Sequence, residues 1–342
     1  MGHYLRDVIS EVDKTHPRLG NLAAMCQLAI KAKKLLLVVS PRGCGKSRVT
    51  SIVALSLPNA SLQDRISTAG LAYLKEEFNG FQSVLMVDDI AKCQTQYARI
   101  STVTTIAELV YSHYCKSALQ GSNFSIENFH GSAVINIQPV LLKEVVKSDE
   151  WEASVQDKSI RYYHLYRPQK PNSSPLSFKW RWGISLENVE PLKIRLRLGN
   201  KTFRSLADLI SVQWGNSRLL EHLADLLMAS AALDERNKVN QTDITLLRDL
   251  LMPLSYESLV MNKREFESDR YLDSNMLAIL TEWLTYGAFT LQQLSDDYKL
   301  SVSQCYRIMH EYAAKWIEVS KSPTKFAPSL DFAKQLAECG IK

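Results

Sequence analysis

No apolar run in the sequence approaches the roughly 18–20 residues that a bilayer-crossing helix needs, which excludes a helical membrane span and any membrane partner built on one. The opening stretch MGHYLRDVISEVDK has no apolar centre followed by a small-residue cleavage site, so a cytoplasmic protein is expected. The six cysteines are scattered, with no CxxC pair and no histidine at zinc spacing, which argues against a disulfide framework and a structural metal. There is no internal repeat and no low-complexity tract. What is present is ordinary globular usage, 46% hydrophobic and 23% charged, which excludes disorder as the overall class. A length of 342 residues allows two or three domains.

The net charge of +5 is small but unevenly placed, for residues 151–200 hold nine Lys and Arg against four Asp and Glu. Such local excess points to an anionic partner better than the total does.

Lys34–Ser40, KLLLVVS, is a continuous apolar run of strand length with basic residues before it and Pro41 and Gly43 after it, the pattern of a buried parallel strand. Ser83–Val87 and Ser132–Ile135 are two more such runs, the first ending in two acids and the second in Asn136. A helical stretch at 21–33 precedes them and others at 69–78 and 103–118 separate them, so an α/β fold with a parallel sheet covered on both faces is predicted. Further helices are expected at 217–233, 242–251, 274–284, 291–298 and 301–314, followed by a short strand WIEVS and a turn over 321–325.

Ser40–Ser47 reads SPRGCGKS, which meets G-x-x-x-x-G-K-[ST] except that Ser40 replaces the first glycine. The run follows an apolar strand and precedes a helix, where successive backbone N–H groups and a helix N-terminus can hold a polyphosphate. Pro41, Arg42, Gly43, Cys44, Gly45, Lys46, Ser47 and Arg48 are therefore the candidate ATP-binding residues, with Lys46 reaching the terminal phosphates and Ser47 ligating Mg2+. VLMVDD, 84–89, delivers Asp88 to a strand end where it can hold the Mg2+ shell, with Asp89 beside the attacking water.

With these motifs placed, the order of the remaining features resembles the AAA+ ATPases over most of residues 20–255. The resemblance implies a P-loop core, a small helical lid and ATP bound between subunits of a homo-oligomer. Asn136 matches the family's sensor-1 position, with Gln138 as the alternative if the strand runs two residues longer. GNSR, at the start of the helix from Trp214, places Arg218 as the sensor-2 arginine, and Arg161 lies nearest the position of a trans-acting arginine, with Arg167 second. Most members carry Asp-Glu where this chain has Asp88-Asp89, and the shorter side chain implies slow hydrolysis or a nucleotide used as a switch.

SFKWRWGI and PLKIRLRL each alternate apolar and cationic residues, so a β-hairpin inserted near 177–198 would carry Lys179, Arg181, Lys193, Arg195 and Arg197 on one face. Such a face suits a nucleic-acid backbone, and DNA is the expected partner. The segment from Tyr271 resembles a winged-helix domain whose third helix would offer Arg307, beside Ser301, Ser303 and Gln304, to DNA.

The expected organisation is an AAA+ core over 1–200, a helical lid over 201–270 and a winged helix over 271–342. The leading functional expectation is an ATP-dependent oligomeric ATPase acting on DNA, similar in layout to origin-recognition-type initiators and transposition-regulator ATPases. The alternative is a nucleotide-controlled signalling or defence switch resembling STAND ATPases, in which the winged helix contacts a protein partner. A protein-remodelling ATPase ranks third, because no aromatic-Gly pore loop stands between Asp89 and Asn136.

Overall fold

A computed structural model describes residues 3–119, 122–164, 176, 178–192, 201–211, 213–214, 216–257, 288–298, 301–311 and 316–329. The chain divides into two compact units, one of residues 1–164 with 172–261 and one of 165–171 with 262–342.

The first unit is built on five parallel strands: β1 (Leu35–Val39), β2 (Ser61–Gln63), β3 (Val84–Val87), β6 (Ser132–Ile137) and β7 (Ser159–Tyr163). Their spatial order is β2-β3-β6-β1-β7. Every residue of β1, β3, β6 and β7 is buried, which is why these runs read as continuously apolar rather than alternating. After β1 the chain crosses to the far edge at β2, works back through β3 and β6, and then adds β7 on the other side of β1. That reversal beside β1 makes the carboxyl rim there the crevice in which α/β sheets bind ligands.

The connecting helices are α3 (Lys46–Leu55), α4 (Thr68–Phe78), α5 (Gln96–Ser112) and α6 (Pro139–Val146). Ser67 and Thr95 cap α4 and α5 by accepting from Gly70 N–H and Ala98 N–H, and Pro139 opens α6 where its missing N–H costs nothing. The helix predicted over 103–118 stops at Ser112, where His113 turns left-handed at φ 62°, and the chain enters an antiparallel pair, β4 (Cys115–Leu119) and β5 (Ser122–Ile126).

α1 (Tyr4–Thr15) and α2 (Gly20–Lys31) precede the sheet, and α7 (Lys201–Ile210), α8 (Asn216–Leu233) and α9 (Gln241–Leu251) follow it. Nine consecutive residues of α2, from Leu22 to Ile30, are buried, because the helix lies between the sheet and the pair α8 and α9. One hydrophobic core therefore joins sheet and trailing helices, running from Leu36 through Leu28 to Leu226 and Leu247.

A buried polar knot ties the N-terminus into that core. Asp243, fully buried at the capping box of α9, accepts from His3 Nε2 at 3.0 Å, Ser230 Oγ at 2.8 Å and Arg236 Nη2 at 2.6 Å. Burial alone would raise its pKa, but the bonds from His3, Arg236, the Asn240 backbone and Ser230 outweigh that and hold it at about 2. A carboxyl depressed from 3.8 contributes stability above its unfolded pKa and loses it as pH falls through 3.8 toward 2. The loss is expected to be about 2 kcal/mol. Urea unfolding on either side of that window should show it, and Asp243→Asn should remove most of the dependence.

The first arm of the expected hairpin requires correction, and most of its second arm, residues 193–198, lies outside the described residues. Residues 178–192 contain no strand; they run as an extended strap with a single 3-10 turn at Leu186–Asn188. The predicted alternation is present, with Phe178, Trp180, Trp182 and Ile184 packed on the core and Lys179 and Arg181 exposed. The strap's backbone partners are instead on helices: Gln27 Nε2 donates to Arg181 O at 2.5 Å, Lys31 Nζ to Trp182 O at 2.7 Å, and Arg181 N–H to Tyr4 Oη at 2.8 Å. Ile184 N–H donates to Ala232 O at 3.0 Å. A one-sided extended segment laid on helices has the same period of two as a strand, and only the source of the hydrogen bonds differs.

Gly183 lets the strap lie this close: its φ is +58°, and a Cβ there would stand 1.9 Å from Ala232 O. Gly183→Ala is expected to destabilise the unit by about 2–3 kcal/mol. Gly80, at φ +69° with nothing within 4 Å of a Cβ, is the control, and alanine there should cost only about 1 kcal/mol in the same urea titration.

In the second unit, β8 (Phe289–Thr290), β9 (Trp316–Lys321) and β10 (Thr324–Pro328) form an antiparallel sheet in the order β8-β10-β9. Helices α10 (Leu291–Tyr298) and α11 (Val302–Glu311) pack together and bury Leu294, Cys305 and Met309. The helix expected at 274–284 lies outside the described residues. No described helix is long and apolar enough to cross a membrane.

Candidate nucleotide site

The loop from Ser40 to Gly45 leaves the carboxyl end of β1 and opens α3. Ser40 N–H is bonded to Ile137 O at 3.0 Å and its residue is fully buried, so it finishes the strand rather than the turn. It is not among the residues with positive φ, which is why serine replaces the first glycine of the motif without strain. Gly43 and Gly45 do need glycine, with φ of 76° and 78°. Left-handed residues alternating with ordinary ones curve backbone N–H groups into a concave anion nest, here at the N-terminus of a ten-residue helix.

Lys46 is only 6% exposed, and its ammonium donates to Ser40 O at 3.2 Å and Pro41 O at 3.1 Å. Burial lowers its pKa, opposed in part by the nearby Asp89, Cys44 and Asp88 charges. The loop, β3's terminal acids and Lys46 thus share one rim. Arg42 is fixed across it by donating from Nε to Gln138 Oε1 at 3.0 Å. Cys44 is buried, Pro41 and Ser47 are half-buried, and Arg48 is exposed on the first turn of α3.

Asp88 has one buried oxygen, Oδ1, without a partner among the described residues, while Oδ2 stands 3.8 Å from Lys92 Nζ. Asp89 accepts from Ala91 N–H at 2.9 Å and so caps the 3-10 turn Ile90–Lys92. Asn136 is fully buried and its amide donates to Thr50 Oγ1 of α3 at 2.9 Å, which turns it toward the helix behind the loop. Of the two sensor-1 candidates, Gln138 is the one that touches a loop side chain. Its buried Nε2, Asn136 Oδ1 and Asp88 Oδ1 are three polar atoms without protein partners at this one rim. In a folded interior such atoms are uncommon, and their grouping makes this rim the candidate site for a polar ligand.

His164, which sequence reasoning missed, completes the rim at the end of β7. Its N–H donates to Val39 O at 2.9 Å, and burial together with the Lys46 charge pushes its pKa down to about 4. The imidazole is therefore neutral beside the lysine. Its only signal in the sequence was its place just after a strand ending in Tyr163.

The structure brings neither of the arginines carried over from the resemblance to the loop. Arg161 is fully buried, and all five of its guanidinium N–H groups have partners inside the chain. Nε and Nη2 fork onto Glu257, Nη2 also reaches Gln213 O at 2.8 Å, and Nη1 reaches Gln156 O at 2.7 Å and Ser159 Oγ at 3.2 Å. It braces β7 against the segment after α9 and has no donor left for a neighbouring subunit. Arg167 lies outside the described residues.

Arg218 stands at the wrong end of the sheet for a sensor. It pairs with Glu221 at 2.6 Å and lies over the Tyr111 ring at 4.5 Å, and it shares a cavity with Lys33 and Lys34, which precede β1. The loop from Ser40 to Gly45 follows β1, so the whole strand separates the two.

Of the DNA candidates, Lys179 is exposed, and Arg181 is exposed with its guanidinium 4.6 Å from the Tyr4 ring centre. Arg307 is exposed on α11. Lys193, Arg195 and Arg197 lie outside the described residues. No group of three or more His, Cys, Asp or Glu side chains able to hold a metal occurs among the described residues, so any Mg2+ here would rest on Ser47, Asp88 and the phosphates themselves. No protein-family model matches the chain, and no curated protein matches it.

Proposed function

We propose that the chain is a P-loop ATPase of the AAA+ type that binds Mg2+ and ATP at residues 41–48. The observation that carries this reading is Lys46, buried directly after two left-handed glycines of the loop that leaves the carboxyl end of β1, and near Asp88 and Asp89. The backbone of Arg42–Ser47 would cradle the phosphates. Lys46 would exchange its bonds to two uncharged carbonyls for bonds to anionic phosphate oxygens, in which both partners are ionised. The Ser47 hydroxyl and Asp88 would hold Mg2+, which neutralises phosphate charge during transfer.

Hydrolysis on this reading is slow. Asp89 lacks the reach of a glutamate and uses its carboxylate as a cap, Asn136 is committed to Thr50, and Arg161 is committed to Glu257. These same commitments favour the second reading, a nucleotide-controlled switch working through a protein partner. Action on DNA as a homo-oligomer remains the first reading, supported by exposed Lys179 and by the second unit. That unit resembles a winged helix in its two helices and three-stranded sheet, with Arg307, Lys321 and Lys325 exposed.

Measuring ATP hydrolysis and particle mass, with and without duplex DNA at low salt, tests the proposal. DNA-stimulated hydrolysis and an ATP-dependent rise in mass support the DNA-bound assembly. A monomer that retains ATP, ignores DNA and barely hydrolyses supports the switch, and a protein that binds no ATP refutes both.

A further inference from the structure

At the amino rim of the sheet, opposite the phosphate loop, lies a cavity of about 230 Å³. Lys33 and Lys34 enter it from the start of β1, Lys158 from the start of β7, Tyr111 from the end of α5, and Arg218 and His222 from successive turns of α8. Four cations thus converge on it from three elements, against one lining carboxylate, Glu221. Glu221 is committed to Arg218 at 2.6 Å and lies 3.8 Å from Lys34, which also pairs with Asp225 at 2.5 Å. Lys33 and Lys158 have no carboxylate partner among the described residues. What holds the cations is instead the Tyr111 ring, with Arg218 4.5 Å and Lys158 5.2 Å from its centre.

His222 adds a directional group. It is 1% exposed, and its Nε2 lies 2.8 Å from Asp157 O, an acceptor, so Nε2 carries the proton. Burial, then the Lys34 charge, lowers its pKa to about 4, which keeps the ring neutral and leaves Nδ1 an acceptor. That buried Nδ1 has no partner among the described residues. The cavity therefore joins fixed positive charge to a lining imidazole whose buried Nδ1 lacks a partner among the described residues.

We propose that this cavity binds a small hydroxyl-bearing phosphate monoester, its phosphate among Lys33, Lys158 and Arg218 and a hydroxyl donating to His222 Nδ1. Convergence of an arginine fork and two ammonium groups suits a tetrahedral dianion better than a single carboxylate. The volume falls below the roughly 300–1,000 Å³ of sites for drug-sized ligands, which excludes a whole nucleoside triphosphate. The site is separate from the phosphate loop and stands whether or not that loop binds ATP.

Histidine-ring NMR of the full chain tests it, with glycerol 3-phosphate as probe and the His222 signal identified by its loss in His222→Gln. The expected result is a saturable His222 shift that glycerol alone does not produce and that persists in Lys46→Ala. Lys158→Gln and Arg218→Gln should each weaken binding by about tenfold. Lys158 is half-buried and has no carboxylate partner among the described residues, so its variant keeps the test valid should Arg218→Gln fail to fold. A His222 signal unmoved by the ester, an equal shift in Lys158→Gln, or a shift produced by a DNA duplex but not by the ester would overturn the proposal.

Discussion

Lys46→Ala is expected to weaken Mg2+·ATP binding by roughly 100-fold, equivalent to about 3 kcal/mol. The ammonium is the one cation buried in the loop, and no other charge can take its place: Arg42 is tied to Gln138, and Arg48 is exposed on α3. Stability should move little. The bonds that the ammonium makes are to two backbone carbonyls of the loop, and its burial already disfavours the charged form. Lys46→Met, which keeps the buried stem, should unfold within about 1 kcal/mol of the parent. Equilibrium binding of a fluorescent ATP analogue, beside urea unfolding of the same samples, separates the two effects. A variant that unfolds along with losing ATP would make the lysine a structural residue.

Arg161→Ala is expected to act in the opposite way, costing about 3–5 kcal/mol of stability. The change would strand Glu257, whose side chain is 14% exposed, and would leave Gln156 O and Gln213 O without their donors. Arg161→Lys should recover only part of that loss, because an ammonium cannot fork onto the carboxylate while also reaching two carbonyls. Urea unfolding measures both. Were Arg161 a trans-acting arginine after all, the alanine variant would fold as the parent does and fail only when mixed into assemblies with it.

The parts of the fold most legible in the sequence were those fixed by local pattern. Five consecutive buried residues in β1, a turn that needs glycine at 43 and 45, and a helix opened by Lys46 all speak within fifteen residues of one another. Asp88 was legible for the same reason, as the residue that an apolar strand delivers to its carboxyl end. The arginines were not, because spacing along the chain does not say at which end of a sheet a helix begins. α8 starts beside Lys34 and runs toward His3, which carries Arg218 away from the loop it was matched to.

The strap failed for a different reason. Alternation of Trp180, Arg181 and Trp182 fixed which side chains face the core, and did so correctly, but the partners of the backbone came from Tyr4, Gln27 and Lys31, more than 140 residues away. The end of α5 was hidden because His113 terminates it in a left-handed conformation that sequence alone does not demand of histidine. Gln138 and His164 were reached only through tertiary contacts with Arg42 and Val39.

Hydrogen exchange of the full chain, with and without Mg2+ and ATP, tests the nucleotide site most directly, since it reads the loop amides themselves. The account predicts slowed exchange over residues 42–48 and at Asp88 and Asp89, lost in Lys46→Ala. Unchanged exchange over 42–48 with saturating ATP, or protection confined to the amino rim around Lys33, Tyr111 and Arg218, would contradict it.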